Sequence, residues 1–255
     1  MILVVDIGNT NIVFGLYSGD DLIGTLRAET DAGLSSKDYA GKLQNFIYAE
    51  KRNVREIKGA IVSSVVPEID DSIRAACRTC VGKEPVFLSP EIDMGMKICY
   101  ENSRQVGTDR IVNSIAAFDK YKQAVIVIDF GTATTFDYVS AEGEYRGGVI
   151  APGMKISAEA LFEKASKLPR VALKPPEKVI CTDTVTNMQA GIVFGYAGLV
   201  DGIVNRMKNE SISEPYVVAT GGLASVVFPH AETIEAVYEN LTLYGLKIIF
   251  ERNIS

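Results

Sequence analysis

Short apolar runs of strand length alternate along the chain with longer segments whose apolar residues recur at helical spacing. In the first half this pattern predicts strands at 2–6, 11–17, 21–29, 59–67 and 85–88, a helix capped by Ser35 or Ser36, and a second helix at 68–81. In the second half it predicts strands at 124–129, 134–139 and 145–152, a strand followed by a glycine turn within 215–224, and helices at 154–165, 184–208 and 239–252. Two hairpin-like strands, a third strand and then alternating helix and strand are typical of a mixed α/β fold.

The second half of the chain repeats the order of elements in the first. A helix predicted at 109–121 carries the chain from one half into the other, and no linker rich in Pro, Gly or Ser separates the halves. We therefore predict two similar mixed-sheet domains, residues 1–118 and residues 119–255, that flank a cleft.

One turn occurs in both halves. Asp6 and Asp129 each end an apolar run, and a glycine follows each of them two residues later. A strand-end carboxylate lies where a sheet meets water, and glycine lets the backbone approach a ligand closely. The next residues supply amide and hydroxyl donors: Asn9, Thr10 and Asn11 in the first turn, and Thr132, Thr134 and Thr135 in the second. With backbone N–H groups these donors can wrap a triphosphate, and the carboxylate can hold a cation, directly or through water.

The alternative interpretation is two ordinary hairpin turns with aspartate as a turn former, but the repetition in one strand-turn-strand context favours a shared ligand. The sequence contains no G-x-x-x-x-G-K-[ST] segment, and its first strand does not lead into G-x-G-x-x-G. A third turn, Thr220-Gly221-Gly222, follows a predicted strand in the second half. Its glycines either lie against adenine or ribose or form a plain loop.

Composition narrows the class of protein. The 255 residues include 26 Lys and Arg against 32 Asp and Glu, a net charge of −6, which argues against a nucleic-acid partner. The N-terminal apolar run has no basic flank, and the uncharged apolar stretch at 190–200 is too short to span a membrane. Cys77 and Cys80 continue the apolar stripe of a predicted helix, which indicates buried, reduced thiols in a cytoplasmic protein.

Five segments together resemble one family: DIGNTN at 6–11, GTDR at 107–110, DFGTATTFD at 129–137, GGVIAPG at 147–153 and NLTLYGL at 240–246. They are similar to type III pantothenate kinase, within the superfamily of acetate and sugar kinases, Hsp70 and actin. The resemblance implies a duplicated ribonuclease H-like fold of the actin-like ATPase kind. It also implies transfer of the γ-phosphoryl group of ATP to the primary hydroxyl of pantothenate, the first step of coenzyme A synthesis.

The resemblance further implies cofactors and partners. It implies a need for Mg²⁺ and for a monovalent cation, K⁺ or NH₄⁺, and a homodimer as the working form. Asp129 would hold the monovalent cation, and Asp6 would bind Mg²⁺, directly or through water. ATP would contact the two phosphate turns and the glycine turn: Asp6, Ile7, Gly8, Asn9, Thr10, Asn11, Ile12, Val13, Thr132, Gly221 and Gly222.

Asp109 is the predicted catalytic base. It opens a predicted helix whose dipole favours the charged carboxylate, although the spacing alone also suits a helix cap formed by Thr108 or Asp109. The resemblance assigns to Asp109 the proton of the pantothenate hydroxyl. It also implies that pantothenate contacts Tyr100, Gly107, Thr108, Asp109, Arg110 and Thr184.

The helix predicted at 184–208 carries Gly191, Gly195, Gly198 and Gly202 on one face. Each glycine costs ~1 kcal/mol relative to alanine inside a helix. We therefore expect this face to pack closely against another helix, either within the chain or of the dimer mate. The resemblance places Thr184 at pantothenate across the dimer interface, although the family more usually has Asn-Thr at positions 183–184, where this chain has Asp-Thr.

Two other functions stay open at this point. Another small-molecule kinase of the same superfamily would keep both phosphate turns but accept a different substrate, and a non-catalytic nucleotide-binding regulator would have lost turnover. The intact GTDR segment and the two turn aspartates argue against the regulator.

Overall fold

The computed structural model describes residues 1–89, 91–102 and 105–254. It divides into two compact units, the first made of Met1–Gly95, Arg104–Ala116 and Thr242–Ser255, and the second of Met96–Ser103 and Ala117–Leu241. Both units are discontinuous, unlike the continuous halves that the sequence predicts. The second unit is discontinuous because Arg104–Ala116, which belongs to the first unit, interrupts it. The first unit also takes in the C-terminal segment, whose Leu243 and Phe250 side chains lie over Gly15 and Gly59.

The first unit is built on a five-stranded mixed sheet. Its strands are β1 (Ile2–Ile7), β2 (Asn11–Ser18), β3 (Asp21–Glu29), β4 (Gly59–Ser64) and β5 (Val86–Phe87). They lie in the order β3-β2-β1-β4-β5, in which the first three are antiparallel and the last two run parallel to β1. The strand predicted over 59–67 ends earlier, at Ser64, because Pro67 begins a short 3₁₀ turn at Pro67–Ile69.

The helices of the first unit are α1 (Ser36–Ala49), α2 (Asp70–Val81) and the start of α3 (Thr108–Tyr121). The C-terminal helix, α7 (Leu241–Ile254), also belongs to it from Thr242 onwards. Ser35 caps α1, as predicted, and it forms a reciprocal capping box with Asp38. Alternate residues of β1 face α1 and α2 in one apolar cluster, so the other face of β1, which includes Asp6, lies on the opposite side of the sheet.

The second unit repeats the same topology. Its strands are β6 (Lys97–Ile98), β7 (Val125–Phe130), β8 (Ala133–Val139), β9 (Glu144–Pro152), β10 (Tyr216–Thr220) and β11 (Ala236–Val237). The order β9-β8-β7-β10-β11 reproduces β3-β2-β1-β4-β5 strand for strand, with β6 added parallel to the edge of β9. The predicted duplication of a mixed sheet is therefore confirmed.

The helices of the second unit are α4 (Met154–Lys164), α5 (Thr184–Glu210) and α6 (Ala224–Val227). Helix α5 packs on β7 and β10 through a second apolar cluster, which includes Ile192 and Val200. The short elements β6, β11 and α6 are not in the predicted pattern, because two to four residues are too few to show a periodicity.

A buried lysine fastens α7 to the first sheet. The side chain of Lys247 is 3% exposed and donates hydrogen bonds to Asp20 Oδ1 at 2.8 Å and to Glu251 Oε2 at 2.9 Å. Burial alone would lower the pKa of Lys247, but the hydrogen bonds to Asp20 and Glu251 raise it above its ordinary value. The charged amine therefore ties the C-terminal helix to the turn between β2 and β3.

Cys77 and Cys80 lie on the buried face of α2, as their spacing predicts, and no disulfide joins them. Burial raises the pKa of the Cys77 thiol to about 12, so this thiol is protonated at neutral pH. In the described part of the chain, none of the helices combines the length and the hydropathy that crossing a bilayer requires.

Replacing Gly245 with alanine is expected to destabilise the protein by about 1–3 kcal/mol. The added Cβ would overlap the carbonyl oxygen of Val112 on α3 and would lie 2.7 Å from Val112 Cγ1. Gly41→Ala is the matched control, since an added Cβ on that residue of α1 meets no atom within 4 Å. The control should gain roughly 0.5–1 kcal/mol. Urea unfolding measures both variants, and equal stability would contradict the close contact between α7 and α3.

Candidate active site

The first phosphate turn joins β1 to β2, and its backbone is held from the end of β3. The N–H of Gly8 donates to the carbonyl of Asn11 at 2.9 Å, and the N–H of Thr30 donates to the carbonyl of Thr10 at 3.0 Å. Thr30 Oγ1 also donates to the carbonyl of Gly8 at 2.6 Å. Asn9 and Thr10 are exposed. The turn is therefore fixed through its carbonyl groups, while its tip faces solvent.

Asp6 is the last polar residue of β1 before this turn. It is half-buried and pairs in register with Val13 on β2 and Ser63 on β4, whereas the three preceding residues of β1 are fully buried. The carboxylate therefore stands at the point where the sheet leaves the apolar interior, as the sequence predicts.

The second phosphate turn joins β7 to β8 and is one residue shorter than the first. Three residues, 131–133, separate the paired residues Phe130 and Thr134, whereas four residues, 8–11, separate Ile7 and Ile12 in the first turn. Thr132 is exposed at its tip. The residue before α4, Gly153, lies against the carbonyl oxygens of Gly131 and Thr132, so the start of α4 supports this turn.

The glycine turn after β10 lies directly beside Asp129. Thr220 pairs in register with Asp129, and Gly221 follows with φ +91°. A Cβ on Gly221 would overlap Asp129 Oδ1 and would lie 2.7 Å from the N atom of Phe130. Gly222 has open space around it. The two glycines therefore differ: Gly221 packs against the second turn, and Gly222 is the one with room for a ligand.

Asp109 lies in the first turn of α3 and is half-buried. Its Oδ1 accepts a hydrogen bond from the N–H of Arg110 at 2.9 Å, and Gly107 lies beside the same oxygen. The carboxylate thus satisfies one free N–H of the helix start, as the capping interpretation predicts. Because a carboxylate has two oxygens and about four acceptor positions, this bond leaves capacity for a substrate hydroxyl. The side chain of Arg110 is buried at 8% exposure.

Tyr100 is 42% exposed and rests on a buried polar pair that the sequence did not reveal. Its ring centroid is 6.4 Å from that of Tyr145, and it lies close to Gly147. Tyr145 is fully buried, and its hydroxyl donates to Asp137 Oδ1 at 2.7 Å. Asp137, the last residue of the segment DFGTATTFD, was the signal in the sequence that could have indicated this pair. A carboxylate among the apolar residues of a central strand needs a partner.

Thr184 is the first residue of α5, and Asp183 caps that helix. The N–H of Thr186 donates to Asp183 Oδ1 at 3.0 Å, and the hydroxyl of Thr186 bonds Oδ2. The hydrogen bond from the Thr186 side chain holds the pKa of the Asp183 carboxyl below its ordinary value. Aspartate and asparagine are equally good caps, so Asp183 fills the capping role that asparagine would have at this position.

Helices α4 and α5 border an open apolar groove of about 1160 Å³. Its apolar walls include Ile156, Leu161, Met188, Ile192 and Leu199. Thr184, Gly191 and Gly195 also line it, and an added Cβ on Gly191, Gly195 or Gly198 meets no atom within 4 Å. The prediction that this glycine face packs against a helix of the same chain is therefore wrong.

The first unit thus carries Asp6, the first turn and the segment from Gly107 to Arg110. The second unit carries Tyr100 and Thr184, and it brings the second turn, Asp129 and Gly221 together. In the described residues no group of three or more His, Cys, Asp or Glu side chains gathers as a metal site. A cation at Asp6 or Asp129 would therefore take its other ligands from phosphate oxygens, backbone groups or water. At Asp6 this suits Mg²⁺, an ion that keeps several waters.

The chain matches known proteins over its full length. The family model described as type III pantothenate kinase matches residues 2–206. A curated type III pantothenate kinase from Syntrophotalea carbinolica is 51% identical over 253 residues, which cover 99% of each chain.

Two solved structures share the fold at low identity. Component A of the (R)-2-hydroxyglutaryl-CoA dehydratase from Acidaminococcus fermentans superposes with a TM-score of 0.56 at 14% identity, over 96% of this chain and 94% of that one. The ROK hexokinase from Thermus thermophilus gives a TM-score of 0.52 at 12% identity, over 97% of each chain. Together with the repeated strand order, these likenesses identify the duplicated ribonuclease H-like fold.

Removing the hydroxyl of Tyr145 is expected to destabilise the protein by about 1–3 kcal/mol, because Tyr145→Phe leaves the buried carboxyl of Asp137 without this hydrogen bond. Tyr48→Phe is the control, since Tyr48 is 84% exposed. The control should change stability by less than roughly 0.5 kcal/mol. Chemical unfolding of the two variants checks the difference, and a Tyr145→Phe protein as stable as the wild type would disprove the role of the pair.

Proposed function

Since this chain belongs to the type III pantothenate kinase family, we propose how its residues divide the work of that reaction. The enzyme uses ATP to phosphorylate pantothenate in coenzyme A biosynthesis. A kinase has to align the alcohol with the γ-phosphorus and offset the charge of the transferred group, so binding and placement account for most of its catalysis.

Asp109 accepts the proton of the pantothenate hydroxyl. The observation that carries this proposal is the position of its carboxylate, half-exposed in the first turn of α3 and oriented by the N–H of Arg110. This carboxylate lies at the N-terminal end of α3, and an ionised carboxylate is the form that can take a proton. The base acts mainly through position, and it takes the proton late, as the phosphoryl group is transferred.

Pantothenate is held by groups that match its carboxylate and its polar chain. Arg110 is a fixed, buried cation that can bind a carboxylate through two parallel hydrogen bonds. The backbone from Gly107 to Thr108 lies beside the base, and Tyr100 offers a supported aromatic face with an exposed edge. Thr184 adds a hydroxyl at the edge of the groove between α4 and α5.

ATP is held by residues 6–13 of the first turn, by Thr132 of the second and by the turn at Gly221 and Gly222. Asp6 holds Mg²⁺, directly or through water, and Asp129 holds a monovalent cation, K⁺ or NH₄⁺. When bound, these cations offset the negative charge of the phosphates. The exposed tips of both turns and the half-buried carboxylates behind them support this arrangement.

The enzyme works as a cytoplasmic homodimer that uses the groove between α4 and α5 as its interface. A second copy of the chain would cover the apolar walls of the groove and the open glycine face, which together resemble a helix-packing surface without its partner. Thr184 lies at this groove, so the partner copy would approach the substrate there. The free cysteines, two of them buried, are compatible with the reducing cytoplasm.

Asp109→Asn should lower pantothenate-dependent ADP release by about 10²–10⁴-fold while leaving ATP binding intact, because the amide cannot accept the proton. Asp71→Asn is the matched control, since Asp71 is an exposed carboxylate in the first turn of another helix, α2. A coupled ADP assay measures turnover, and the same assay with K⁺ replaced by Na⁺ tests the proposed cation at Asp129. Equal turnover of wild type and Asp109→Asn would remove Asp109 as the base.

Gly195→Leu should weaken the dimer by tenfold or more, because the side chain would fill the space that the partner helix needs, at a cost of about 1.4 kcal/mol per tenfold. Gly41→Leu is the control, since both positions are helical and have open space around an added Cβ. Sedimentation equilibrium measures the dissociation constants. A monomeric wild type would contradict the homodimer, and an undisturbed Gly195→Leu dimer would place its interface elsewhere.

A further inference from the structure

A buried serine next to Asp6 lacks a hydrogen-bond partner. Strands β1 and β4 run parallel, and Asp6 pairs in register with Ser63. Side chains of residues paired in this way project from the same face of a sheet. Ser63 is 1% exposed, and its Oγ makes no hydrogen bond in the structure. A buried hydroxyl without a partner destabilises a fold, so its presence beside a turn carboxylate needs an explanation.

The next residue, Ser64, shows what a structural serine does at this strand end. Its Oγ donates to Asp70 Oδ1 at 2.5 Å and accepts the N–H of Val66 at 3.1 Å. These bonds close the turn that leads from β4 towards α2. The structural needs of the strand end are therefore met without Ser63, and Ser63 points to the opposite face of the sheet.

The second unit has a hydroxyl residue at the same place. Strands β7 and β10 correspond to β1 and β4 in the repeated topology, and Asp129 pairs in register with Thr220. Thr220 is 2% exposed. Each turn carboxylate thus has a buried hydroxyl side chain next to it on the parallel neighbouring strand. Because a buried hydroxyl side chain occurs at the corresponding position of both units, chance does not explain the position of Ser63 well.

We propose that Ser63 is a positioning residue of the nucleotide site, whose Oγ hydrogen-bonds the water shell of the divalent cation held by Asp6. This inference rests on the proposed role of Asp6. A hydroxyl oxygen accepts a hydrogen bond from a metal-bound water, and Mg²⁺ retains several waters when it binds nucleotides. Groups that orient ligands in this way from the second layer change metal affinity strongly although they do not touch the ion.

The proposed role of Ser63 predicts that Ser63→Ala leaves the stability of the free enzyme unchanged or higher but weakens the binding of ADP with Mg²⁺. Ser63→Ala removes an unpartnered hydroxyl, so the free enzyme should unfold at the same temperature as the wild type or at a higher one. The loaded enzyme loses a bond, so the affinity for ADP in the presence of Mg²⁺ should fall by about 10-fold. The affinity for ADP in EDTA should not change. A merely structural serine would instead lower the unfolding temperature and would leave the Mg²⁺ dependence intact.

Isothermal titration of ADP, with Mg²⁺ and with EDTA, measures the cation-dependent part of binding, and electron paramagnetic resonance of Mn²⁺ with ADP counts the bound ion. Ser114→Ala is the matched control, because Ser114 is fully buried and its Oγ is also unpartnered, but it lies on α3. The control should leave the Mg²⁺ dependence unchanged. Ser63→Thr, which places at this position the residue type of Thr220, should restore it at least in part.

The variant Asp6→Asn distinguishes the proposed role of Asp6 from the proposed role of Ser63. If Asp6→Asn loses Mg²⁺-dependent binding and Ser63→Ala keeps it, the role of Ser63 is wrong and that of Asp6 stands. If neither variant changes the Mg²⁺ dependence, both roles fall. If Ser63→Ala and Ser114→Ala weaken Mg²⁺-dependent binding equally, the effect is not specific to the neighbour of Asp6, and the inference is overturned.

Discussion

A carboxylate at the end of a fully buried strand is the constraint on which both units depend. The residues from Leu3 to Val5 and from Val125 to Ile128 have no exposed surface, and half-buried Asp6 and Asp129 follow them. An ionised carboxylate is not stable in an apolar interior without compensating partners, so the sheet has to meet its polar edge at these residues. This requirement sets where each strand ends, and it brings an exposed, donor-rich turn to the surface beside a negative charge.

The two duplicated turns have the same topology, but different contacts hold each of them in place. Thr30 holds the carbonyl groups of the first turn by hydrogen bonds from β3, whereas Gly153 and Gly221 hold the second by close packing. The second turn is also one residue shorter. Such differences change the space and the donors around each carboxylate, which agrees with the proposal that one turn serves Mg²⁺ and the other a monovalent cation.

The proposed catalytic base and the proposed dimer interface both involve the N-terminal part of a helix. At α3 the carboxylate of Asp109 is oriented by the backbone of the first helical turn, so helix capping and the proposed proton acceptance would use the same geometry. At α5 Asp183 caps the helix that presents Thr184, and the same helix exposes the glycine face. The glycines weaken α5 as an isolated helix, and a partner copy against that face would return the lost stability through packing.

The sequence by itself determined the longer strands and helices, the duplication, the two turns and the residues proposed for chemistry, because burial periodicity and turn composition are local properties. Only the tertiary structure decided that α7 returns to the first unit, that Tyr145 and Asp137 support Tyr100, and that the glycine face of α5 is open within the chain. It alone revealed that Ser63 lies beside Asp6. The two residues are 57 positions apart in the sequence, and they pair in the register of β1 with β4. Contacts of this kind depend on which strands become neighbours, and the order of apolar and polar residues along the chain does not specify that pairing directly.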